Sequence, residues 1–324
     1  MLKKTLSTGA LCFLFLAIIN YHASAFGSWK DFYRSEFDDV IFSDDVIFQS
    51  AARSKLECSI QCSNQRCCVT FTLDVIPMTS KWRCRGYSSY MTSQQSQSPV
   101  PGAASYIQRK PDVLPRTCAE AKQMGQDCSA VQKLNISSQF SALEAACDED
   151  WTVILRRHNS TVDFFRGWTD YVNGFGDLDG AYWLGLEAIY QLTSNTRHDL
   201  RVELEDWDDV RATAEYSGFS LSSASDNYTL FVQSFVGGDA GDSLTAHTGT
   251  QFSTKDRDND RHSSGKCAHT HEGAWWYTAC HSSNLCGEFK SHNPPAHGKG
   301  IQWSSWKGYH YSLKFAQMMV RPTQ

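Results

Sequence analysis

The clearest pattern in this chain is the alternation of apolar and charged residues that indicates half-buried strands. Residues 200–205 (LRVELE) alternate strictly, as an antiparallel strand with one buried face should. Residues 151–155 (WTVIL) form an apolar run that predicts a second strand, and residues 228–235 (YTLFVQSF) predict a third. Residues 182–192 (YWLGLEAIYQL) predict a helix, weakened by Gly185. We therefore expect an α+β domain over residues 116–324.

The last third of this domain lacks such patterns. From Gly237 onward the chain is rich in Gly, Ser and Asp and has few regular apolar repeats. We expect this part to be mostly loop, held by a metal ion and a disulfide rather than by strand pairing.

The N-terminal part differs from the rest of the chain in its cysteine content. Five cysteines crowd into 27 positions: Cys58, Cys62, Cys67, Cys68 and Cys84. Residues 49–62 predict a short helix with Cys58 and Cys62 on the same side, and residues 69–73 predict a strand. We expect a small, disulfide-rich α+β domain over residues 26–109. The prolines at 111 and 115 mark a linker over residues 110–115.

The first 25 residues predict a secretory signal peptide. Lys3 and Lys4 precede an apolar run over residues 11–19, and residues 23–25 (ASA) provide a cleavage site of small residues. The run is too short to span a bilayer, so we expect a secreted, extracellular protein without membrane insertion.

Composition narrows the function classes. With 324 residues, 41% of them hydrophobic, the chain can build a substantial core. Its net charge of −5 gives no indication of a basic surface for binding nucleic acid. Twelve cysteines, one of them in the predicted signal peptide, leave eleven to pair in an oxidising compartment. The odd number leaves one free or bridging to another chain, and Cys67 or Cys68 is the candidate. Three sequons agree with secretion and predict glycans at Asn135, Asn159 and Asn227.

Candidate chemistry is concentrated in residues 252–287. Asp256, Asp258 and Asp260 alternate in a loop-like stretch, and such carboxylates with backbone carbonyls are the ligands that Ca²⁺ prefers. Histidines are numerous here, and His269 and His271 alternate as zinc ligands on a strand could. There is no HExxH and no G-x-S-x-G, so exposed or pocket-lining histidines are favoured over a zinc centre, and we expect no enzyme.

Several sequence blocks resemble the fibrinogen C-terminal domain. They are residues 163–168 (DFFRGW), 171–178 (YVNGFGDL), 182–187 (YWLGLE), 252–256 (FSTKD), 273–277 (GAWWY) and 307–312 (KGYHYS). Residues 280–285 (CHSSNL) are most similar to ficolins and tachylectin-type lectins. The resemblance implies a central antiparallel sheet with a loop-rich subdomain for calcium and ligand.

The resemblance also implies disulfides and calcium ligands. The family's two disulfides correspond to Cys118–Cys147 and Cys267–Cys280. Cys128 and Cys286 are additional, and we expect them to pair with each other. The calcium ligands correspond to the side chains of Asp258 and Asp260 and the carbonyls of His262 and Ser264. The spacing to Cys267 is one residue longer than usual, so the carbonyl positions could shift by one. Asp256 is expected to be a nearby acid.

A ligand pocket is implied beside the second cysteine of that loop. The peptide bond Ala279–Cys280 should be cis, which directs the N–H groups of Cys280 and His281 at a ligand carbonyl. Tyr309 matches one wall of the family's acetyl pocket. His271 and His297 stand where two other walls are usually aromatic. Trp276 lies close in sequence and is a further candidate for ligand contact.

The cysteine-rich segment resembles a PAN/apple domain, through C-x₃-C, a following C-x-x-F and a later W-x-C. The resemblance implies Cys58 paired with Cys84, and Cys62 with Cys67 or Cys68. Together the resemblances imply a secreted, calcium-dependent lectin of innate immunity that binds acetylated or related glycans as a homo-oligomer, which an interchain disulfide could link. The alternative is an adhesion or signalling ligand that binds a protein receptor or matrix.

Overall fold

The structure is a computed structural model, and it divides into two compact units, Met1–Asp112 and Val113–Gln324. The described residues are 32–34, 40–42, 46–54, 57–58, 61–62, 70–75, 81–87, 97–99, 104–108, 114–124, 130–290 and 297–323. The predicted signal peptide, Cys67, Cys68 and Cys128 lie outside them. The division between the units falls within the predicted linker. No helix in these described ranges is long and apolar enough to cross a membrane.

The first unit contains an antiparallel sheet of five strands. Its order is β1-β7-β4-β5-β3, and β2 pairs separately with β6. The strands are β1 (Phe32–Arg34), β2 (Val40–Phe42), β3 (Val46–Ala52), β4 (Thr70–Val75), β5 (Trp82–Tyr87), β6 (Gln97–Pro99) and β7 (Ala104–Gln108). β4 confirms the strand that the alternation predicted.

Disulfides hold the small core of this sheet. Cys58 is bonded to Cys84 on β5, as the resemblance implied, and Cys62 is also disulfide-bonded. Both cysteines are completely buried beside Phe71 and Leu73. The predicted helix over 49–62 is wrong in its first part, because Gln49–Ala52 pair with β5; positions 57–58 and 61–62 are helical.

The second unit is built on a ten-stranded antiparallel sheet. The main path is β11-β12-β10-β19-β13-β14-β15, with β16 on β14 and β8-β9 continuing from β10. Its strands are β8 (Val131–Leu134), β9 (Leu143–Asp148), β10 (Trp151–Arg157), β11 (Phe175–Gly176), β12 (Tyr182–Trp183), β13 (His198–Glu205), β14 (Arg211–Leu221), β15 (Leu230–Phe231), β16 (Ser234–Gly237) and β19 (Phe315–Pro322). A separate pair joins β17 (Ser283–Asn284) to β18 (Gln302–Trp303).

The predicted strands at 151–155 and 200–205 are confirmed as β10 and β13. On β13 the side chains of Leu200, Val202 and Leu204 are buried, while the charged residues between them are more exposed. β19 lies between β10 and β13 and brings the end of the chain into the centre of the sheet. The patterns used above did not predict β14 or β19.

Among the described residues of this unit, five short α-helices occur: α1 (Cys118–Gln123), α2 (Trp168–Asn173), α3 (Leu186–Thr193), α4 (Cys267–Thr270) and α5 (Ser304–Lys307). The helix predicted over 182–192 begins only after Gly185. That glycine has φ +110°, and a Cβ there would lie 2.9 Å from the backbone of Asn173, so Tyr182 and Trp183 instead form β12 against β10. The strand predicted over 228–235 begins only at Leu230, after the positive φ of Tyr228, and is interrupted at residues 232–233, so that it forms β15 and the start of β16. The two strands keep one register on β14, and the interruption lies opposite Gly218, which has φ +63°.

Aromatic side chains attach the loop-rich region, residues 237–314, to the sheet. Phe252 lies 5.1 Å from Trp276, 5.2 Å from Tyr171 and 5.9 Å from Trp183, measured between ring centroids. All four are buried. This cluster provides a core for a region that has few regular elements.

Candidate functional site

The second cysteine of the predicted loop is bonded to the first, and the peptide before it is cis. Cys267, the first residue of α4, forms the disulfide with Cys280, and Ala279–Cys280 is the cis peptide bond. Both features match what the resemblance implied. Within the described part of the chain, the backbone N–H groups of Cys280 and His281 donate to no acceptor. His281 is buried and Cys280 is half-buried, and backbone donors with so little access to water usually have a partner.

His247 fixes the segment that follows these donors. Its imidazole is completely buried, and Nδ1 donates to the carbonyl of Trp276 at 2.6 Å. Nε2 accepts the backbone N–H groups of Ser282 at 3.1 Å and Ser283 at 3.2 Å. This pattern requires the neutral imidazole, and burial lowers the pKa of His247 to about 4. The sequence reasoning did not identify His247, whose only signal was its place in an otherwise polar loop.

Imidazole and phenol rings cluster around the side chain of His281, which carries one of these donors. His271 donates from Nδ1 to the carbonyl of Gly298 at 2.8 Å, and His281 donates from Nε2 to the same oxygen at 3.3 Å. The centroids of these two rings are 4.5 Å apart, and the ring of Tyr309 is 5.9 Å from His281. His297 stacks on Tyr309 at 5.0 Å. The structure therefore brings together four of the predicted pocket residues.

The buried histidines of this cluster are kept neutral. Burial is the main cause that lowers the pKa of His281 to about 3, and the neighbouring His271 adds to it. Burial also lowers the pKa of His271. Since each ring donates one N–H to Gly298, its other nitrogen is an acceptor, and Nδ1 of His281 is buried without a partner. The site thus combines two backbone donors with neutral rings.

Trp276 does not line this site. Its side chain is completely buried and its indole N–H donates to the carbonyl of Tyr228 at 2.8 Å. A ligand could not reach its ring in this structure. Trp275 is equally buried. Both tryptophans support the site from the core, where each contacts the other at a centroid distance of 5.0 Å.

The predicted calcium loop places two carboxylates close together. Asp260 accepts N–H groups from His262 and Cys267, each at 2.8 Å, and Asp258 accepts the N–H of Asp260 at 3.3 Å. Burial and the charge of Asp258 raise the pKa of Asp260. Among the residues described, neither carboxylate has an ion-pair partner. A nearby cation would relieve this repulsion.

The donor atoms fit a hard cation. The carbonyls of His262 and Ser264 accept no hydrogen bond from any described residue, so their oxygens are free to act as ligands. No group of three or more His, Cys, Asp or Glu side chains that could hold a metal occurs in the ranges that the structure covers. A calcium site here would therefore rest on two carboxylates and carbonyls, as the resemblance implied.

Asp256 has a different task from its two neighbours. Its Oδ1 accepts the N–H of Trp168, the first residue of α2, at 2.8 Å and the hydroxyl of Thr254 at 2.6 Å. These bonds lower the pKa of Asp256 against the opposing effect of burial. It joins the loop to α2, which agrees with its predicted role as a nearby acid.

The expected bond between Cys128 and Cys286 is wrong, because Cys286 is a free, completely buried thiol. It lies in the core beside Tyr171 and Arg157, and burial raises its pKa to about 12. Arg157 donates to the carbonyls of Leu285 and Gly287, on either side of this cysteine. The other predicted bond of this unit, Cys118–Cys147, is present.

The three sequons differ in their surroundings. Asn135 is exposed. Asn159 accepts the N–H and hydroxyl of Thr161. Asn227 is half-buried, and its amide contacts Gln251 and Arg257. Glycosylation at all three stays a prediction.

One cavity of the second unit lies away from this site. It has a volume of about 610 Å³ and is lined by α1, the end of β19 and residues including Ile136 and Leu192. The predicted pocket is therefore identified by its free donors and rings and not by cavity size.

Comparison with known proteins supports this part of the fold. Residues 114–323 match the family described as fibrinogen beta and gamma chains, C-terminal globular domain. Fibrinogen C domain-containing protein 1-A of Xenopus laevis is 42% identical over 218 residues, covering 64% of this chain and 47% of that protein. The chain spans about half the length of the curated relatives it matches.

Two solved structures share the fold. The fibrinogen-like globe domain of human ANGPTL6 has a TM-score of 0.63 and 44% identity, covering 66% of this chain and 98% of that one. A lamprey fibrin D-dimer, complexed with the peptide Gly-His-Arg-Pro-amide, has a TM-score of 0.60 and 30% identity, covering 66% of this chain and 75% of that one. The matched share corresponds in size to the second unit alone.

Proposed function

The chain belongs to the fibrinogen C-terminal globular domain family, and from that premise we propose that it is a secreted, calcium-dependent lectin-like protein of innate immunity. Its ligands would be acetylated glycans on microbial or cell surfaces. The family consists of binding and recognition proteins without enzymatic activity. The disulfides of both units fit an oxidising, extracellular compartment.

One observation carries the proposal: His281, which carries one of the two free N–H groups, has its ring packed against those of His271 and Tyr309. Two adjacent N–H donors suit a single carbonyl oxygen such as that of an acetyl group. The rings would hold the acetyl methyl, since small-ligand sites combine apolar walls with a few placed polar groups. Because the imidazoles are neutral, they can lie against an uncharged amide and its methyl group without an electrostatic penalty.

The calcium ion would be held by Asp258 and Asp260 with the carbonyls of His262 and Ser264. When bound, it would supply positive charge that allows both carboxylates to ionise together. Bonds within the chain would connect the ordered calcium loop to the pocket. Asp260 accepts the N–H of Cys267, and Cys267 is bonded to Cys280, so three residues link the loop to the free donors.

Weak single sites gain avidity when several are linked, so we also propose that the protein acts as a homo-oligomer. The PAN/apple-like first unit, and an interchain bridge through Cys67 or Cys68, remain part of this proposal. A non-reducing gel compared with a reducing gel tests the bridge. A monomer band under both conditions would contradict it.

The function is tested by retention on N-acetylglucosamine resin in calcium. We expect elution by free N-acetylglucosamine or by a chelator, while glucosamine, which lacks the acetyl group, leaves the protein bound. Tyr309→Ala should weaken retention. The matched variant Tyr190→Ala, in α3, should be retained on the resin as wild type is. Equal elution by both sugars would contradict acetyl recognition.

The alternative, a protein-binding adhesion or signalling ligand, is favoured by one observation. The lamprey relative is described with a bound peptide, Gly-His-Arg-Pro-amide. A protein of this kind would not be retained on the sugar resin. Capture of a defined receptor ectodomain or matrix protein that resists both N-acetylglucosamine and chelator would support the alternative.

A further inference from the structure

The loop over residues 255–266 carries four exposed cations, and we call it the cationic loop. They are Lys255, Arg257, Arg261 and Lys266. Within the described residues, none of the four forms an ion pair with a carboxylate. Many other cations of the second unit are paired: Lys122, Lys133, Arg166, Arg201, Arg211, Lys299, Lys307, Lys314 and Arg321. Unpaired cations are therefore concentrated in one loop, which also carries the unpaired carboxylates of Asp258 and Asp260.

Contacts with the protein hold three of these cations in place. The Lys255 ammonium lies 4.7 Å from the centroid of Phe165 and donates to that residue's carbonyl at 2.6 Å. The Arg257 guanidinium lies 4.1 Å from the centroid of Trp168, and its Nη2 donates to Asn227. Arg261 donates from Nη2 to the carbonyl of Gly249. Each contact orders the side chain without neutralising it, so less entropy is lost when an anion binds.

The acids of the cationic loop do not cancel this charge. The loop has four cations against three carboxylates, which gives it a net charge of +1 with histidine neutral. Asp256 is occupied by Trp168 and Thr254. If Asp258 and Asp260 bind Ca²⁺ as proposed above, the net charge of the loop becomes about +3. Calcium would then strengthen an anion-binding surface that exists without it.

We propose that the cationic loop binds a linear sulfated polysaccharide, at a surface separate from the acetyl pocket. Two arginines provide planar N–H donors that match sulfate oxygens in pairs, and the lysines add charge along the loop. Such a polymer has regularly spaced anions that several ordered cations can contact together. The repeated weak contacts make binding strongly dependent on salt.

The surroundings argue against other polyanions. Nucleic-acid strands bind through bases stacked on aromatic faces, and here Phe165 and Trp168 are already covered by Lys255 and Arg257. Insertion into an anionic lipid surface needs exposed large apolar side chains. Of the described residues, those with this exposure are Met124, Val210, Phe231 and Val236, none of which lies in the cationic loop.

The test measures binding of the full chain to immobilised heparin across a series of salt concentrations. The double variant Arg257→Gln with Arg261→Gln should lose affinity by about tenfold and show a shallower dependence on salt. The matched control is Arg211→Gln with Lys133→Gln, which removes the same net charge from exposed residues that are ion-paired. The control should bind within about twofold of wild type.

Several outcomes would overturn the proposal. These are no binding by wild type at 50 mM NaCl, equal losses in both double variants, or elution from heparin by free N-acetylglucosamine, which would assign binding to the pocket. Tighter binding to a single-stranded oligonucleotide or to phosphatidylserine vesicles would assign the loop to another partner. Retention on heparin by a protein that fails on N-acetylglucosamine resin would leave this proposal standing and the acetyl pocket rejected.

Discussion

The sheet around β10, β19 and β13 and the loop-rich region over 237–314 are folded by different kinds of contact. In the sheet, backbone groups bond to each other and alternating side chains such as Val202 are buried. In the loop-rich region, the backbone pairs are scattered, as between Ser253 and Trp275, and side chains supply further bonds to the backbone. His247 bonds to three such groups, Trp276 to Tyr228, and Asn259 to Phe252. One substitution there removes partners from several backbone groups, and the binding site depends on the same residues.

The largest expected effect comes from removing the disulfide of the loop-rich region. We expect Cys267→Ala with Cys280→Ala to lower the free energy of unfolding by about 2–5 kcal/mol. N-acetylglucosamine binding should be lost, because the disulfide holds in place the backbone that carries the free N–H groups of Cys280 and the next residue. Urea denaturation and resin retention measure the two effects.

The matched control removes the other bond with Cys118→Ala and Cys147→Ala. Its loss of stability should be larger by about 0.5–1 kcal/mol, since that bond closes a longer loop. Under conditions where this variant is folded, sugar binding should remain. Loss of binding in both folded variants would show that the two regions are not separate in function.

The next largest effect is expected at His247. His247→Ala removes one donor and one acceptor that serve three buried or half-buried backbone groups, so we expect a loss of about 2–4 kcal/mol. In the sheet, Leu200→Ala should destabilise by a comparable ~2–5 kcal/mol through a cavity. Only His247→Ala should also weaken sugar binding by the protein that remains folded. Equal sugar binding by both variants would show that His247 does not support the site.

The contrast also explains what could be predicted from sequence. Alternation predicted β10 and β13, because a strand with one buried face repeats every two residues. Motif resemblance placed the cis bond, the Cys267–Cys280 disulfide and the pocket rings. It could not predict that Trp276 points into the core, or that Cys286 stays a free thiol, because both depend on contacts between distant segments. His247 was missed for the same reason, since its partners lie about thirty residues away.

Acid should lower the free energy of unfolding through the buried histidines of the loop-rich region, and His198 on β13, whose pKa is also lowered by burial, adds to the effect. The folded-state pKa values of His247 and His281, about 4 and about 3, lie below the ordinary value of 6.5. The unfolded chain therefore takes up protons first as pH falls from 6.5, so stability is full above that pH and declines toward pH 4. Each histidine contributes a slope of about 1.4 kcal/mol per pH unit in the steep part.

Urea midpoints measured between pH 7 and pH 4 check this slope. His247→Asn, which keeps one donor and one acceptor but does not titrate, should reduce it by the share of one histidine. An unchanged slope in that variant would mean that His247 is not the group that takes up the proton.

The smallest expected effect is stabilisation by calcium, which should depend on Asp260 but not on Asp256. Calcium at ten times its Kd should stabilise wild type by about 1.4 kcal/mol. Asp260→Asn should abolish this gain. Asp256→Ala should cost about 0.5–2 kcal/mol through the lost bond to Trp168, but should keep the calcium gain. The same calcium gain in Asp260→Asn as in wild type would reject Asp260 as a ligand.

The central claim concerns the backbone donors of Cys280 and His281, and amide NMR during a titration with N-acetylglucosamine in calcium tests it most directly. The account predicts that these two ¹⁵N–¹H signals shift most, that glucosamine leaves them unchanged, and that a chelator abolishes the response. Shifts confined to residues around α1 and the end of β19, or no shifts at saturating sugar, would contradict it.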